Sequence, residues 1–306
     1  MKKVMVLGVS GAFGSAVAQE LKTQGYQVSA MVRDTSKQNI KGIHYQQGDA
    51  AISSDVEAAC QGQDIVVFAI NPPKYDWKNK SLAYLQHVLD AAKTHHFTLI
   101  FPGNVYAFDP QMNANVDERS PQHARSFLGD IRMQMEQAIE KDAHNGVQSV
   151  ILRMGDFISP NQQSSWLPTL LKNKGSKFQL STPGNTKIKH SWVYTKDAAQ
   201  IIAALIPHLA ALPKFNVFHM RGYALSFSDL ARVIQKSTGK TVRLTNMPWW
   251  PFKLLKPFSP LFTGLLSMRY LWQEELTMSD GKLRDLLAEK MPNTPIETAL
   301  KDSALI

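Results

Sequence analysis

The sequence predicts an α/β protein: a doubly wound parallel sheet (Rossmann fold) with a smaller C-terminal α/β region packed over it. Three observations carry this. The strands of the first half are apolar without alternation, as strands covered on both faces must be. The segments between them repeat apolar residues every three or four positions, the period of one-sided helices. The first strand runs straight into a glycine-rich turn that opens the first helix.

VMVLGV (4–9) is the first buried strand, and Phe13, Val17 and Leu21 then share one helix face. Gly25 ends that helix, and QVSAMV (27–32) is the second strand. A short strand at 43–46 and a helix from about Ser53 follow. DIVVFAI (64–70) is the fourth strand, and Leu82, Leu85, Val88, Leu89 and Ala92 mark the next helix. TLIF (98–101) is the fifth strand. Leu128, Ile131, Met135 and Ile139 mark a helix before the strand SVILRM (149–154). Parallel neighbours need right-handed crossover helices, which this alternation supplies. Beyond residue 155 the pattern weakens to helices near 165–173 and 197–206, a strand FNVF (215–218), and a helix starting at Ser226 or Ser228. The expected division is 1–155 for nucleotide binding and 156–306 for substrate.

The chain has 306 residues, 44% apolar and 19% charged, which suits a globular enzyme and excludes a disordered or fibrous chain. The single cysteine, Cys60, permits no internal disulfide. No Cys/His cluster has metal-binding spacing, and His95-His96 fall at a helix end, so no metal is expected. The N-terminal apolar run is short and broken by glycines, unlike a secretory leader, so a cytoplasmic location is expected. The net charge of +9 is uneven: no acid occurs between Asp229 and Glu274. Within that interval, 246–272 is aromatic, proline-rich and basic. Trp249, Trp250 and Trp272 with the lysines suit a peripheral membrane contact. The charge alone permits nucleic-acid binding, but no recognition motif is present and none is expected.

LGVSGAFGSAV spaces Gly8, Gly11 and Gly14 as Gly-x-x-Gly-x-x-Gly between a strand and a helix. A tight turn and close approach to a pyrophosphate need glycine, and the helix N-terminus offers free N–H groups to phosphate. Ser10 adds a hydroxyl.

With Ser10, this triad resembles that of the extended and atypical short-chain dehydrogenase/reductases, the NAD-dependent epimerase/dehydratase group. Four further segments extend the resemblance over most of the chain: Gly48-Asp49, Asn104-Val105-Tyr106, RMGDFISP (153–160) and WVYTKDAA (192–199). Asp156 stands where the family has asparagine. The resemblance implies a bound nicotinamide dinucleotide held by Gly8, Ser10, Gly11, Ala12, Phe13 and Gly14. Arg33, Asp49, Ala50, Ala69, Asn71, Pro102, Arg132 and Phe157 would complete that site. It also implies a small-molecule substrate near 156–166 and 190–194, and a homodimer paired through helices at 81–93 and 126–141.

An NAD-preferring site carries a carboxylate at the end of strand two. Here Val32 takes that position and Arg33 follows, whose planar fork matches a 2′-phosphate. NADP is therefore expected over NAD, the competing reading being that Arg33 pairs with Asp34 or that Asp34 takes the ribose.

The family places a Ser or Thr four residues before the tyrosine of its V-Y-G segment, and Tyr-x-x-x-Lys on the next helix. This sequence has Pro102, Leu128 and Arg132 at those positions. Leucine carries no proton, and arginine is too basic to exchange one. Any proton transfer must come from elsewhere. Tyr106 is the first candidate, with Asn104 as a donor to the substrate oxygen and Arg132 beside them. Asp156 and His123 are further candidates. Two functions stay open: an oxidoreductase or epimerase/dehydratase relative acting on a small carbonyl or sugar-like substrate, and a non-catalytic NADP(H) sensor or assembly factor of the NmrA-like kind.

Overall fold

The computed structural model describes residues 1–36, 40–162 and 165–306. Gln163 and Ser164 of the expected substrate segment therefore lie outside the described residues. In chain order the first half is β1 (Lys3–Leu7), α1 (Ala12–Thr23), β2 (Gln27–Val32), β3 (His44–Gln47), α2 (Ser53–Cys60), β4 (Ile65–Phe68), α3 (Ser81–His95), β5 (Thr98–Asn104), β6 (Asn115–Val116), α4 (Phe127–His144) and β7 (Ser149–Met154). Then come β8 (Asp156–Ile158), α5 (Leu167–Leu170), β9 (Leu171–Asn173), β10 (Lys177–Thr182), β11 (His190–Tyr194), α6 (Thr195–Leu205) and β12 (Phe215–His219). The chain ends with β13 (Tyr223–Leu225), α7 (Phe227–Thr238), β14 (Thr241–Asn246), α8 (Trp250–Leu255), α9 (Pro260–Ser267), β15 (Thr277–Met278), α10 (Gly281–Leu287) and α11 (Ile296–Asp302).

The predicted doubly wound sheet is observed. Seven strands lie in the order β12-β7-β5-β4-β1-β2-β3, and every pairing is parallel. Chain order reverses beside β1, where Met5 faces Ser29 of β2 on one side and Val66 of β4 on the other. Such a reversal opens a crevice at the carboxyl ends of the strands.

The unbroken apolar strands serve two cores at once, because successive side chains point to opposite faces. Met5, Leu7, Val66, Phe68, Leu99 and Phe101 pack with Val56, Leu85, Val88, Leu128, Ile131 and Ile139 of α2, α3 and α4. Val4, Val6, Ala30, Val67, Ile100 and Leu152 pack with Phe13, Val17, Leu21, Ile201, Ile202 and Leu283 of α1, α6 and α10. Each of these side chains larger than alanine contributes about 1.5–3 kcal/mol by leaving water. Helix starts follow local chemistry. Ser126 Oγ accepts the Gly129 N–H at 3.1 Å, and Ser226 forms a reciprocal cap with Asp229.

Residues 156–306 build the three-stranded sheets β14-β10-β9 and β13-β11-β8 over the carboxyl edge. They also return β12 and α6 to the main sheet and its helical layer. Two sequence expectations change here. The helix expected near 165–173 stops at Leu170, and Leu171–Asn173 pairs antiparallel with β10. Lys-Asn-Lys-Gly offers no apolar face to continue a helix, and Gly175 at φ +74 turns the hairpin. Of the three tryptophans expected at an interface, Trp249 and Trp272 are buried and only Trp250 is exposed. Trp272 is central to a third core with Trp192 and Phe227.

One buried ion pair ties α4 to β7. Glu136 Oε2 accepts from Arg153 Nη2 at 2.6 Å and Nε at 3.0 Å, and from Gln122 Nε2 at 2.6 Å. Arg153 Nη1 donates to His219 Nε2 at 3.1 Å. Burial, then the Arg153 charge, holds that imidazole neutral by moving its pKa down to about 3. Glu136→Ala would leave the guanidinium buried without its carboxylate. A loss of about 3–5 kcal/mol is expected in urea unfolding. The double variant Glu136→Leu/Arg153→Met should recover most of it, because the pair's net contribution over apolar packing is small.

Candidate functional site

A cleft of about 1200 Å³ runs along the carboxyl ends of the strands, from the β2 end to the region under α9. Gly8, Ser10, Gly11, Ala12 and Phe13 form its floor. Gly8 has φ +94, and a Cβ there would lie 2.6 Å from the Ala69 carbonyl oxygen. On Gly14 a Cβ would lie 2.3 Å from the Gly8 carbonyl oxygen. Gly14 therefore does not line the cleft; it lets α1 sit against the turn. Gly11 is the N-cap of α1 and gives that helix no side-chain cap. An open helix N-terminus beneath a cleft is a cradle that a phosphate fits. Asn161 braces it from the second half, donating to Ser10 O at 2.9 Å and Ser15 Oγ at 3.1 Å.

At one end of the cleft stand Arg33, Asp34, Gly48, Asp49, Ala50 and Lys80. Asp34 Oδ1 accepts from the Ser36 N–H and hydroxyl, at 3.0 and 2.6 Å. Asp49 Oδ1 is bound by the Ala51 N–H at 3.0 Å. Lys80 pairs with Asp76 at 2.6 Å and feels the Arg33 charge, so two cations share this end.

Ala69, Asn71, Pro102, Asn104 and Phe157 line the middle. Asn104 Oδ1 accepts the Tyr106 N–H at 3.0 Å, an Asx turn that shapes the end of β5. Arg132 rises from α4, donates to Pro102 O at 3.3 Å, and lies 4.7 Å from the Trp77 ring centroid. Among the described residues no carboxylate comes within ion-pair distance of it. Burial lowers its pKa from the ordinary arginine value. Leu128, one turn earlier and expected from the sequence to stand at a tyrosine position, is fully buried in the core and does not reach the cleft.

The far end is aromatic: Tyr75, Trp77, Tyr106 and Trp166, with Asp156 and, from α9, Leu261 and Leu265. Trp77 lies 5.6 Å from Tyr75 and 6.1 Å from Tyr106, centroid to centroid. The Tyr75 phenol is a near neighbour of both the Tyr106 phenol and Trp166, close enough for each to influence its ionisation. Burial raises the Tyr106 pKa well above the usual phenol value, and the Tyr75 and Asp156 charges add to that; Arg132 opposes it without prevailing. Tyr75 is pushed up to about 12, again chiefly by burial. Both phenols keep their protons at neutral pH. Asp156 differs: burial lifts its carboxyl to about 7, where it exchanges a proton readily.

Of the residues expected to hold the cofactor or to act with Tyr106 and Asn104, all but Gly14 line the cleft, as does the further candidate Asp156. His123 is not there; it is exposed, and its N–H donates to Ala107 O at 2.8 Å. The expected substrate segment 190–194 is also absent from the walls. It is β11, buried at every position and paired in parallel with β8, and the His190 imidazole is held neutral by burial, its pKa down to about 4. Sequence reasoning missed Tyr75, Trp77 and Lys80, and it placed Asn161 only within the substrate segment 156–166, not as the brace of the glycine turn. NPPKYDW, just past the end of β4, carried a signal under the same strand-end rule that singled out Tyr106.

A seven-stranded doubly wound sheet with an open glycine turn at its switch point places the protein among Rossmann-fold proteins. The profile of the NmrA-like family matches residues 1–293. The chain belongs to that family. No curated protein matches it. Solved structures share the fold at low identity. A candidate epimerase from Burkholderia cenocepacia J2315 is 18% identical, with TM-score 0.80 over 99% of this chain and 98% of its own. UDP-glucose-4-epimerase from Stenotrophomonas maltophila, solved with NAD and formylated UDP-arabinopyranose, is 15% identical, with TM-score 0.77 over 99% and 97%. The Bordetella bronchiseptica enzyme WbmH, solved with NAD+, is 17% identical, with TM-score 0.73 over 100% and 98%.

The Asp156 carboxyl has a pH consequence for stability. Its folded value of about 7 lies above the ordinary 3.8. Between those values the folded chain binds more protons than the unfolded one, so stability falls as pH rises. Asp156→Asn removes this term. The variant should gain stability relative to the parent as pH goes from about 4 to 7. Urea midpoints across that range would show it; a constant difference would mean that the carboxyl is ionised throughout.

Proposed function

We propose that the protein binds NADP(H) and uses it as an oxidoreductase on a small, largely apolar carbonyl compound. The observation that carries this reading is the uncapped α1 N-terminus beneath a cleft that joins two cations to a protonated aromatic pocket. Gly8, Ser10, Gly11, Ala12 and Phe13 would hold the pyrophosphate, and Asp49, Ala50, Ala69 and Asn71 the adenosine side. Arg33, helped by Lys80, would take the 2′-phosphate, since Asp34 already bonds its own turn. Pro102, Phe157 and Arg132 would flank the ribose and ring of the nicotinamide half. Such a cofactor supplies or takes up a hydride when bound.

The protein must then give the substrate oxygen a proton or remove one. Tyr106 Oη is the group for that atom, with the Asn104 amide as a second donor. Tyr75 links Tyr106 to the neighbourhood of Asp156, whose carboxyl stores a proton near neutral pH. This relay replaces the family's tyrosine–lysine pair by a different route to the same proton. The apolar side chains of Trp77, Trp166, Leu261 and Leu265 favour a less polar substrate than the nucleotide sugar named for the Stenotrophomonas structure.

A second reading, a non-catalytic NADP(H) sensor, is favoured by buried Leu128 and by the raised Tyr106 phenol. Loss of NADPH absorbance over a panel of aldehydes, ketones and quinones separates the two. Turnover should fall roughly 10²- to 10⁴-fold in Tyr106→Phe and in Tyr75→Phe. Its pH dependence near 7 should flatten in Asp156→Asn. Tight NADPH binding without turnover on any class would establish the sensor. Calorimetry tests the cofactor itself: Arg33→Ala should weaken NADPH by roughly 10- to 100-fold and leave NADH nearly unchanged. Equal loss for both would remove the 2′-phosphate role.

A further inference from the structure

We propose that α8 and the turn after it dock this protein on an anionic lipid bilayer. Of the eight large hydrophobic side chains that are exposed among the described residues, four lie between 250 and 258. Trp250 is 67% exposed, Leu254 65%, Leu255 43% and Phe258 83%. Trp250 and Leu254 stand one helical turn apart, on one face of α8, and Phe258 ends the 3₁₀ turn that continues it.

The same short segment is seated firmly from its other side. Trp249 is buried and donates its ring N–H to Pro183 O at 2.8 Å. Its ring lies 5.4 Å from Phe252, which lies 5.6 Å from Phe262 of α9. Arg269 covers Trp249 at 5.3 Å. The apolar side chains outside are therefore held out in water by a packed base, not by a frayed end.

Charge selects the partner. Lys253 and Lys256 are exposed among these apolar side chains, and no acid occurs from 230 to 273. Apolar rings that enter the headgroup boundary, flanked by lysines, are the composition of an interfacial anchor. A second copy of the chain would bring lysines against lysines across a two-fold axis. A nucleic acid would leave Trp250 and Phe258 in water. Among the described residues no helix is long and apolar enough to cross a membrane, so the contact is peripheral. It lies next to the cleft: α9 contacts α8, and its Leu261 and Leu265 line the pocket.

The test is sedimentation of the whole protein with vesicles of phosphatidylcholine, with and without phosphatidylserine. Binding is expected with phosphatidylserine and should weaken at high salt. Trp250→Ser/Phe258→Ser should lower the partition coefficient by roughly tenfold or more. Lys253→Glu/Lys256→Glu should abolish the phosphatidylserine dependence. Thermal melting and NADPH binding of both variants should match the parent, since the four side chains touch neither core nor cleft floor. The proposal is overturned if the parent ignores both vesicles, or if the serine variant binds like the parent. It is also overturned if the parent dimerises in sedimentation velocity, the serine variant does not, and neither binds lipid.

Discussion

The close approach of backbone to backbone at the first glycine turn sets the rest of the molecule. A Cβ on Gly14 would lie 2.3 Å from the Gly8 carbonyl oxygen, and one on Gly8 2.6 Å from that of Ala69. Three segments, the end of β1, the start of α1 and the end of β4, are thus within contact of their main chains. Any side chain at those two positions would force them apart. Because they stay together, the N-terminus of α1 opens at the point where strand order reverses. It lies level with the strand ends that carry Asn71, Asn104 and Asp156. The cleft is the space left where helix and strands diverge from that contact.

Within the cleft, burial decides more than charge. Arg132 brings a positive charge to the phenols, and its influence on Tyr106 is outweighed by the desolvation of the phenol itself. The guanidinium binds Pro102 O and stacks on Trp77, so it organises the aromatic wall as well as supplying charge. The same desolvation that prevents Tyr106 from ionising raises Asp156 into the neutral range. One physical cause thus removes the acidic phenol and provides a carboxyl that titrates.

The two-faced core made the first half legible. Strands that feed both core layers must be apolar at every position, and 27–32 and 149–154 match the observed strands residue for residue. The glycine turn was legible because strand, triad and helix occur together. The second half was harder to read for physical reasons. Strands of two to six residues in small sheets have too few alternations to show a period, and β9 hides in a segment whose first turn is helical. Trp249 and Trp272 read as interfacial because composition does not say which face of a short helix turns inward. Tyr75 was invisible for another reason. Lys74 and Tyr75 both take left-handed backbone, φ 57 and 56, a conformation that neither residue type advertises. That turn is what carries the phenol into the pocket.

The left-handed pair at 74–75 also explains why α9 can lie where it does. Consecutive left-handed residues without glycine cost on the order of 1–2 kcal/mol each and persist only where the surroundings enforce them. Gly264 supplies the enforcement: a Cβ there would lie 2.7 Å from the Tyr75 ring, so the helix backbone itself presses on the phenyl face. Leu261 and Leu265, on either side of Gly264, reach past the ring into the cleft. The roof of the pocket and the rotation of its central tyrosine are therefore one packing unit, and α8 with its exposed rings is built onto the outer side of it. In the proposed reaction, a substrate entering beneath α9 would meet Tyr75 only in the orientation that Gly264 permits. The position of that helix, as much as the identity of the titrating groups, would then determine which carbonyl oxygens reach Tyr106.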